Sequence, residues 1–292
     1  MHPASARPVG RFAPSPTGPL HFGSLITAIA SYCQVKARGG EWLVRIEDTD
    51  IPRIQAGAEQ QILDALDAFG LCPDRPVVRQ QDRLHLYEQA LSQLAAQDLT
   101  YACACSRKLL SGQTRYPATC RAAALEPTGN AIRLKVDDLP IIFKDLIQGS
   151  QSDHLQHSIG DFVLKRRDGI ISYQLAVVVD DAAQGVTEVV RGADLLDNTA
   201  RQIWLGRCLN VARLDYAHLP LAMNANGQKL SKQNLAQALD YRHAGALIRQ
   251  ALLALGQPDP QTGSVAQQLQ HGVRHWQLAT VQRQVRLDGV YQ

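Results

Sequence analysis

Val9-Gly-Arg-Phe-Ala-Pro-Ser-Pro-Thr-Gly-Pro-Leu-His-Phe-Gly-Ser24 decides the fold. Val9 to Ala13 reads as a buried strand. The stretch from Pro14 to Pro19 must be a turn, because its prolines cannot donate to a ladder and Gly18 can take a positive φ. His21-Phe-Gly-Ser24 then opens an apolar-periodic helix that runs to about Ala37 and stops at Gly39-Gly40. Trp42 to Ile46 is a second strand, leading straight into Glu47-Asp48-Thr49-Asp50. Strand, glycine turn, helix, strand is a right-handed crossover, and it predicts a parallel sheet.

Two helices are expected next, at about Ala56 to Phe69 and Asp82 to Gln97. The texture then changes to turns and short strands: Ala131–Val136, Ile141–Leu146, and Phe162–Lys165 hairpinned through Asp168-Gly169. The apolar run Gln174 to Val179 fits a strand or a short helix. Gly185 to Arg191 returns to a buried strand, Asp197 is expected to cap a helix over about Asn198–Asn210, and Ala217 to Met223 is another strand. The remainder is helical in pattern, most clearly over Ala244–Leu255. The division expected is 1–98 and 173–222 as two halves of one α/β unit, 99–172 as an insertion, and 223–292 as a lysine-bearing loop with a short helical region.

Composition sets the outer limits. The 292 residues are 45% apolar and 20% charged, which excludes a disordered or fibrous chain. A net charge of +3 neither demands nucleic acid nor forbids it, since a local basic face binds phosphates on a near-neutral protein. No apolar run approaches the ~20 residues that span a bilayer, and the first residues lack a signal-peptide core. Six cysteines in a chain this long point to a reducing cytoplasm, not a disulfide scaffold.

Three constellations carry chemistry. A helix start behind a Gly/Pro turn is an anion site, because its N–H groups are unpaired and its dipole favours negative charge. His21 there can donate to a phosphate oxygen, or simply sit on a capped helix. Lys229-Leu-Ser-Lys232 puts two lysines on a glycine-containing loop, suited to a departing pyrophosphate or to plain solvent exposure. Cys103, Cys105 and Cys120 suit tetrahedral zinc, or are free thiols in a loop; no histidine lies between His85 and His154 to complete the set.

The first two segments, with Arg45-Ile-Glu-Asp-Thr-Asp50 and Val177-Val-Val-Asp-Asp181 through Gly185-Val-Thr-Glu-Val-Val-Arg-Gly-Ala-Asp-Leu-Leu196, resemble the class I aminoacyl-tRNA synthetases, in particular the glutamyl branch. The resemblance covers roughly residues 9 to 235. It departs at Ser24, where the general signature has a second histidine, and at Leu230, often methionine. It implies a Rossmann-type parallel sheet with a zinc-bearing α+β insertion and a short helical C-terminal region. It implies ATP as substrate, bound by Gly18, His21, Gly23, Ser24 and Lys232, with Mg2+ accompanying it and His21, Lys229 and Lys232 assisting pyrophosphate departure. It further implies L-glutamate held by Arg11, Phe12, Ala13, Pro14, Ser15, Glu47, Tyr173 and Arg191, with Arg191 favoured for the side-chain carboxylate. The alternative for Arg191 is an ion pair with Glu188 or Asp194. The branch's zinc sets point to Tyr116 as fourth ligand beside the three cysteines.

Only 58 residues follow Asn234, too few for a full anticodon-binding module. That resembles the short paralogues of the branch, which transfer glutamate to the queuosine base at the wobble position of tRNA(Asp). The partner implied is therefore the tRNA(Asp) anticodon loop, met by a monomer without a membrane. The competing readings are a short enzyme charging the 3′ end of tRNA(Glu) and an idle RNA-binding paralogue. Lys165-Arg-Arg167, Arg242, Arg249, Arg274, Arg283 and Arg286 are candidate phosphate contacts, or ordinary solvated basic surface.

Overall fold

The computed structural model describes residues 7–220 and 239–283. Lys229, Lys232, Arg286 and the end of the expected Ala217–Met223 strand lie outside them. In chain order the elements are β1 (Val9–Phe12), α1 (Phe22–Lys36), β2 (Glu41–Ile46), α2 (Ala58–Ala68), β3 (Val78–Arg79), α3 (Leu84–Ala96), β4 (Thr100–Cys103) and β5 (Ala131–Leu134). There follow β6 (Ile141–Asp145), β7 (Gly149–Asp153), α4 (Leu155–Ser158), β8 (Phe162–Lys165), α5 (Tyr173–Ala183), β9 (Glu188–Gly192), α6 (Leu196–Cys208), β10 (Asp215–Leu219), α7 (Ala244–Ala254) and α8 (Val265–His275).

The expected crossover is present: β1 and β2 pair in parallel, Arg11 beside Leu43, and β3 continues the ladder beyond β2. A second ladder runs β9, β10, β6, all parallel, with β7 antiparallel at its edge. The two meet where Thr187 N donates to Val9 O at 2.9 Å. From β1 the chain winds outward to β2, and from β9 outward to β10. Their junction is thus the topological switch point, where open α/β sheets bind ligands beyond the strand C-termini.

Two details differ from the sequence expectation, and one that it left open is decided. Ile141–Asp145 forms the expected local antiparallel pair with β7, but that pair also joins the β9/β10 sheet through β10, while β4, β5 and β8 form a separate small sheet. Its alternation of buried and exposed residues specified a strand but not a partner. The Gln174–Val179 run is helical, because it lies between a Ser172 N-cap and two carboxylates that need buried partners. Asp197 sits in the first turn of α6, not at its cap; a 3-10 turn over Ala193–Leu195 flows directly into the helix.

The core explains why the C-terminal helices stay attached. α1 buries Leu25, Ile29 and Cys33 in one cluster with Trp42 and Val44 of β2 and Ile248 and Leu252 of α7. α8 closes on it where Gly272 lets Leu252 and Cys33 approach; an added Cβ there would stand 2.8 Å from Leu252. Trp276 Nε1 donates to Gln34 Oε1 at 2.6 Å. No helix among the described residues is long and apolar enough to cross a membrane.

Candidate active site

A cavity of about 480 Å3 opens where β1 and β9 end. Arg11, Phe12, Ala13, Pro14 and Ser15 line it as the chain leaves β1; His21, Gly23 and Ser24 line it from the start of α1. Glu47 follows β2, Tyr173 begins α5, and Arg191 projects from β9. One wall therefore gathers residues up to 180 positions apart in sequence. Gly18 is not in the wall; with φ +132° it turns the chain so that His21 returns to the strand ends. Gln55 N, donating to Pro16 O at 2.9 Å, pins that turn.

His21 is the N-cap of α1. Its Nδ1 accepts from Ser24 N at 3.2 Å and its Nε2 stands 3.2 Å from Ser24 Oγ. Ser24, the position that departs from the general class I signature, is thus the partner that orients His21. The first turn of α1 carries no acidic residue, so no carboxylate of its own offsets the positive end of the helix.

Two arginines face the cavity in different states. Arg11 spends its Nε on Asp181 at 3.2 Å, and its terminal nitrogens have no hydrogen-bond partner among the described residues. Asp181 also takes Arg45 Nη1 at 2.7 Å, and Arg45 Nη2 reaches Glu47 Oε1 at 3.3 Å. Burial pushes the Glu47 carboxyl up, while Arg45 and then Arg11 pull it back toward the ionised form. Asp181 is also buried, but its two arginines outweigh the burial and hold it below the usual carboxylate range.

Arg191 pairs with neither Glu188 nor Asp194; Glu188 turns to Arg38 and Gln34. Instead Arg191 Nε donates to His218 Nε2 at 3.0 Å and Nη2 to Thr199 Oγ1 at 2.9 Å and Leu195 O at 3.3 Å. Nη1 donates to the Tyr173 hydroxyl at 3.3 Å. Of the five guanidinium protons one remains, on Nη1 beside a Tyr173 hydroxyl whose own proton is still available. The pair can therefore offer two donors to one carboxylate.

Asp180 and Asp181 end an apolar run, and buried carboxylates demand charged partners, a signal that Val177–Asp181 carries in the sequence. Sequence reasoning missed His218 and Asp145, although a histidine inside the apolar Ala217–Leu219 segment is the same kind of signal. Arg45, which opens the Arg45–Asp50 segment, is fully buried and joins Asp180, Asp181 and Glu47.

The three cysteines do converge. Cys103, Cys105 and Cys120 place their sulfurs within 4.8 Å of one another, and Cys105 and Cys120 are 3.5 Å apart. The Tyr116 hydroxyl stands 3.3 Å from Cys103 Sγ and 3.8 Å from Cys105 Sγ. Gly160 makes this possible: φ is +69°, and a Cβ there would lie 2.4 Å from Tyr116 O. Arg133 donates to Cys103 Sγ at 3.2 Å and lies over the Tyr116 ring at 3.7 Å. Burial would raise the Cys103 thiol, but hydrogen bonds from Tyr116 and Arg133 bring it down to about 7. Burial pushes the Tyr116 phenol up, so it ligates only where a cation displaces its proton. This donor set fits a metal ion.

The basic residues are mostly committed. Lys165 pairs with Glu88 and Arg166 with Asp50 and Asp168, while Arg167 donates to Ala104 O. Arg242 pairs with Asp240, Arg249 with Asp259, and Arg283 donates to Ile147 O.

The family model for the catalytic domain of class I tRNA synthetases (E and Q) matches residues 9–118 and 117–255. The chain belongs to the class I tRNA synthetases of the E and Q group. Among relatives, the glutamyl-Q tRNA(Asp) synthetase of Acinetobacter baylyi is 61% identical over 283 residues, 97% of each chain. That of Dechloromonas aromatica is 51% identical over 94% of this chain and 96% of its own. A crystal structure of a glutamate tRNA ligase from Elizabethkingia meningosepticum, in complex with its amino acid, superposes with a TM-score of 0.84 at 26% identity. The match covers 96% of this chain and 67% of that one.

Proposed function

We propose that this synthetase activates L-glutamate with ATP and transfers it to the queuosine base of tRNA(Asp), a reading supported by relatives named glutamyl-Q tRNA(Asp) synthetase. The carrying observation is that Glu47, Arg11, Arg191 and Tyr173 share one cavity with the start of α1. An amino acid with two carboxylates and one ammonium needs that complement. Arg191 Nη1 and the Tyr173 hydroxyl hold the side-chain carboxylate, Glu47 takes the ammonium, and Arg11 keeps its terminal nitrogens for the remaining carboxylate or the phosphate beside it.

An α-carboxylate oxygen then attacks the α-phosphorus of ATP, and the bond to pyrophosphate breaks. This step needs alignment and charge neutralisation more than a covalent nucleophile. The N–H groups of α1, with His21 and Gly23 at its start, are placed to receive phosphate oxygens; Lys229 and Lys232 are assigned to the departing pyrophosphate. Mg2+ accompanies the nucleotide. A queuosine ring hydroxyl next attacks the glutamyl carbonyl, and AMP leaves.

The test is glutamate-dependent ATP–pyrophosphate exchange, followed by incubation of labelled glutamate with tRNA(Asp) with and without queuosine, and with tRNA(Glu). Exchange plus labelling of modified tRNA(Asp) alone is expected. Labelling of tRNA(Glu) would move the protein to the 3′-charging class, and absence of exchange would make it an idle paralogue.

We assign Cys103, Cys105, Tyr116 and Cys120 to one zinc ion. Four protein ligands leave no open position, so the metal would tie β4 to the 105–120 loop and take no part in the chemistry. Cys103→Ser is expected to lose about one equivalent of zinc and to lower the melting temperature, as a structural zinc site predicts. A zinc-free wild type of equal stability would end the assignment. Localisation in the cytoplasm and a monomeric state are part of the same proposal.

A further inference from the structure

Arg191, His218 and Asp145 form one row across three adjacent parallel strands. Arg191 on β9 stands in register with His218 on β10, and β10 pairs with β6 at Tyr216 and Asp145. His218 and Asp145 are completely or almost completely buried. Asp145 Oδ2 is 2.6 Å from His218 Nδ1. Its other oxygen, Oδ1, receives Ile147 N at 3.0 Å, Gln148 N at 2.7 Å and His218 N at 3.2 Å, so the carboxylate cannot swing. His218 Nε2 receives Arg191 Nε–H at 3.0 Å.

Both neighbours dictate the same tautomer. A carboxylate requires a proton on Nδ1, and an arginine N–H requires a lone pair on Nε2. Thr199, accepting from Arg191 Nη2 and standing 3.1 Å from His218 Nε2, closes the arrangement from α6. The imidazole is thus neutral and a fixed acceptor. It holds the Nε edge of the guanidinium, and the opposite Nη1 is left turned to the cavity.

We propose that His218 and Asp145 are positioning residues for the amino acid substrate, setting through Arg191 the donor that meets its side-chain carboxylate. The proposal rests on the glutamate-activating reading given above and deepens it.

Protonation of His218 would replace the lone pair with a second donor facing Arg191. The charged and titratable groups around the ring are Asp145 from β6, Arg191 from β9, Arg11 from β1 and Tyr216 of its own strand; Thr199 faces it from α6. Burial first, then the arginines, hold the ring below the ordinary histidine range, against the pull of Asp145. Glutamate affinity should therefore weaken only on the acid side of the ordinary histidine range.

The test is exchange kinetics on the full chain with His218→Leu, His218→Gln and Asp145→Asn. His218→Leu is expected to raise KM for glutamate ~10–100-fold, the range typical for groups that orient a ligating residue, with KM for ATP unchanged. His218→Gln retains an acceptor and should recover most of that loss; it should also lose the acid-side rise in KM. Asp145→Asn should fall between the two. Unchanged glutamate KM in all three variants, with wild-type exchange intact, overturns the positioning role alone. Glutamate and ATP KM rising together, without rescue by glutamine, also overturns it in favour of a general packing effect. Absence of glutamate-dependent exchange in the wild type instead sinks the activating reading, and the positioning role with it.

Discussion

Replacing Arg191 with leucine should cut kcat/KM for glutamate in the exchange reaction by ~10²–10³-fold, the cost expected when one partner of a buried charge pair is lost, about 3–4 kcal/mol. Three things fail together. The substrate carboxylate loses its cation, the Tyr173 hydroxyl loses the donor that orients it, and His218 loses the proton donor to its Nε2. Lysine should not rescue. Its single ammonium cannot meet Tyr173, Thr199 and His218 at once, because those three partners lie along the edge of a planar fork. KM for ATP should hold, since the α1 end of the cavity is untouched. Exchange within about threefold of wild type would remove Arg191 from the substrate site, because so small a change is below 1 kcal/mol.

The second large effect is on stability. Asp180→Ala should destabilise the fold by about 3–5 kcal/mol, as expected for breaking a buried ion pair by deleting one partner. Asp180 is fully buried and accepts from Gln80 Nε2 at 2.9 Å, Arg83 Nε at 2.6 Å and Tyr87 Oη at 2.7 Å, with Arg45 Nε at 3.8 Å. It thereby ties α5 to α3, to the turn before α3 and to β2. Alanine removes the acceptor shared by Gln80, Arg83 and the fully buried Tyr87, and leaves the fully buried Arg45 with one carboxylate fewer. At ~2–4 °C per kcal/mol for a chain near this size, the melting temperature should fall by about 10 °C. A fall of under about 2 °C would show that the remaining carboxylates compensate, since that is less than 1 kcal/mol on the same scale.

The neighbouring carboxylates divide their work by helical geometry. Asp180 and Asp181 are consecutive on α5, so they point roughly 100° apart. One faces the scaffold; the other faces Arg11 and Arg45 beneath the cavity. Their sequence position suggests neither task. A pair of acids closing an apolar run indicates only that partners must exist, and those partners come from segments about 100 to 170 residues away.

The features legible in the chain are local ones. The prolines and Gly18 forced the turn after β1, the helix start at His21 followed, and the return through Trp42 set a parallel pairing, because each of these is decided by φ limits and periodicity within a few residues. Cys103, Cys105 and Cys120 were legible for the same reason, being close in the chain and close in space. The tertiary structure alone decided the rest. Strand alternation over Ile141–Asp145 says which face is buried but not which strand it joins, and pairing with β10 is what carries Asp145 to His218. Hydrogen bonds between distant strands leave no periodic trace in the chain, so the row that fixes Arg191 exists only once the parallel ladder has brought the three strands into register.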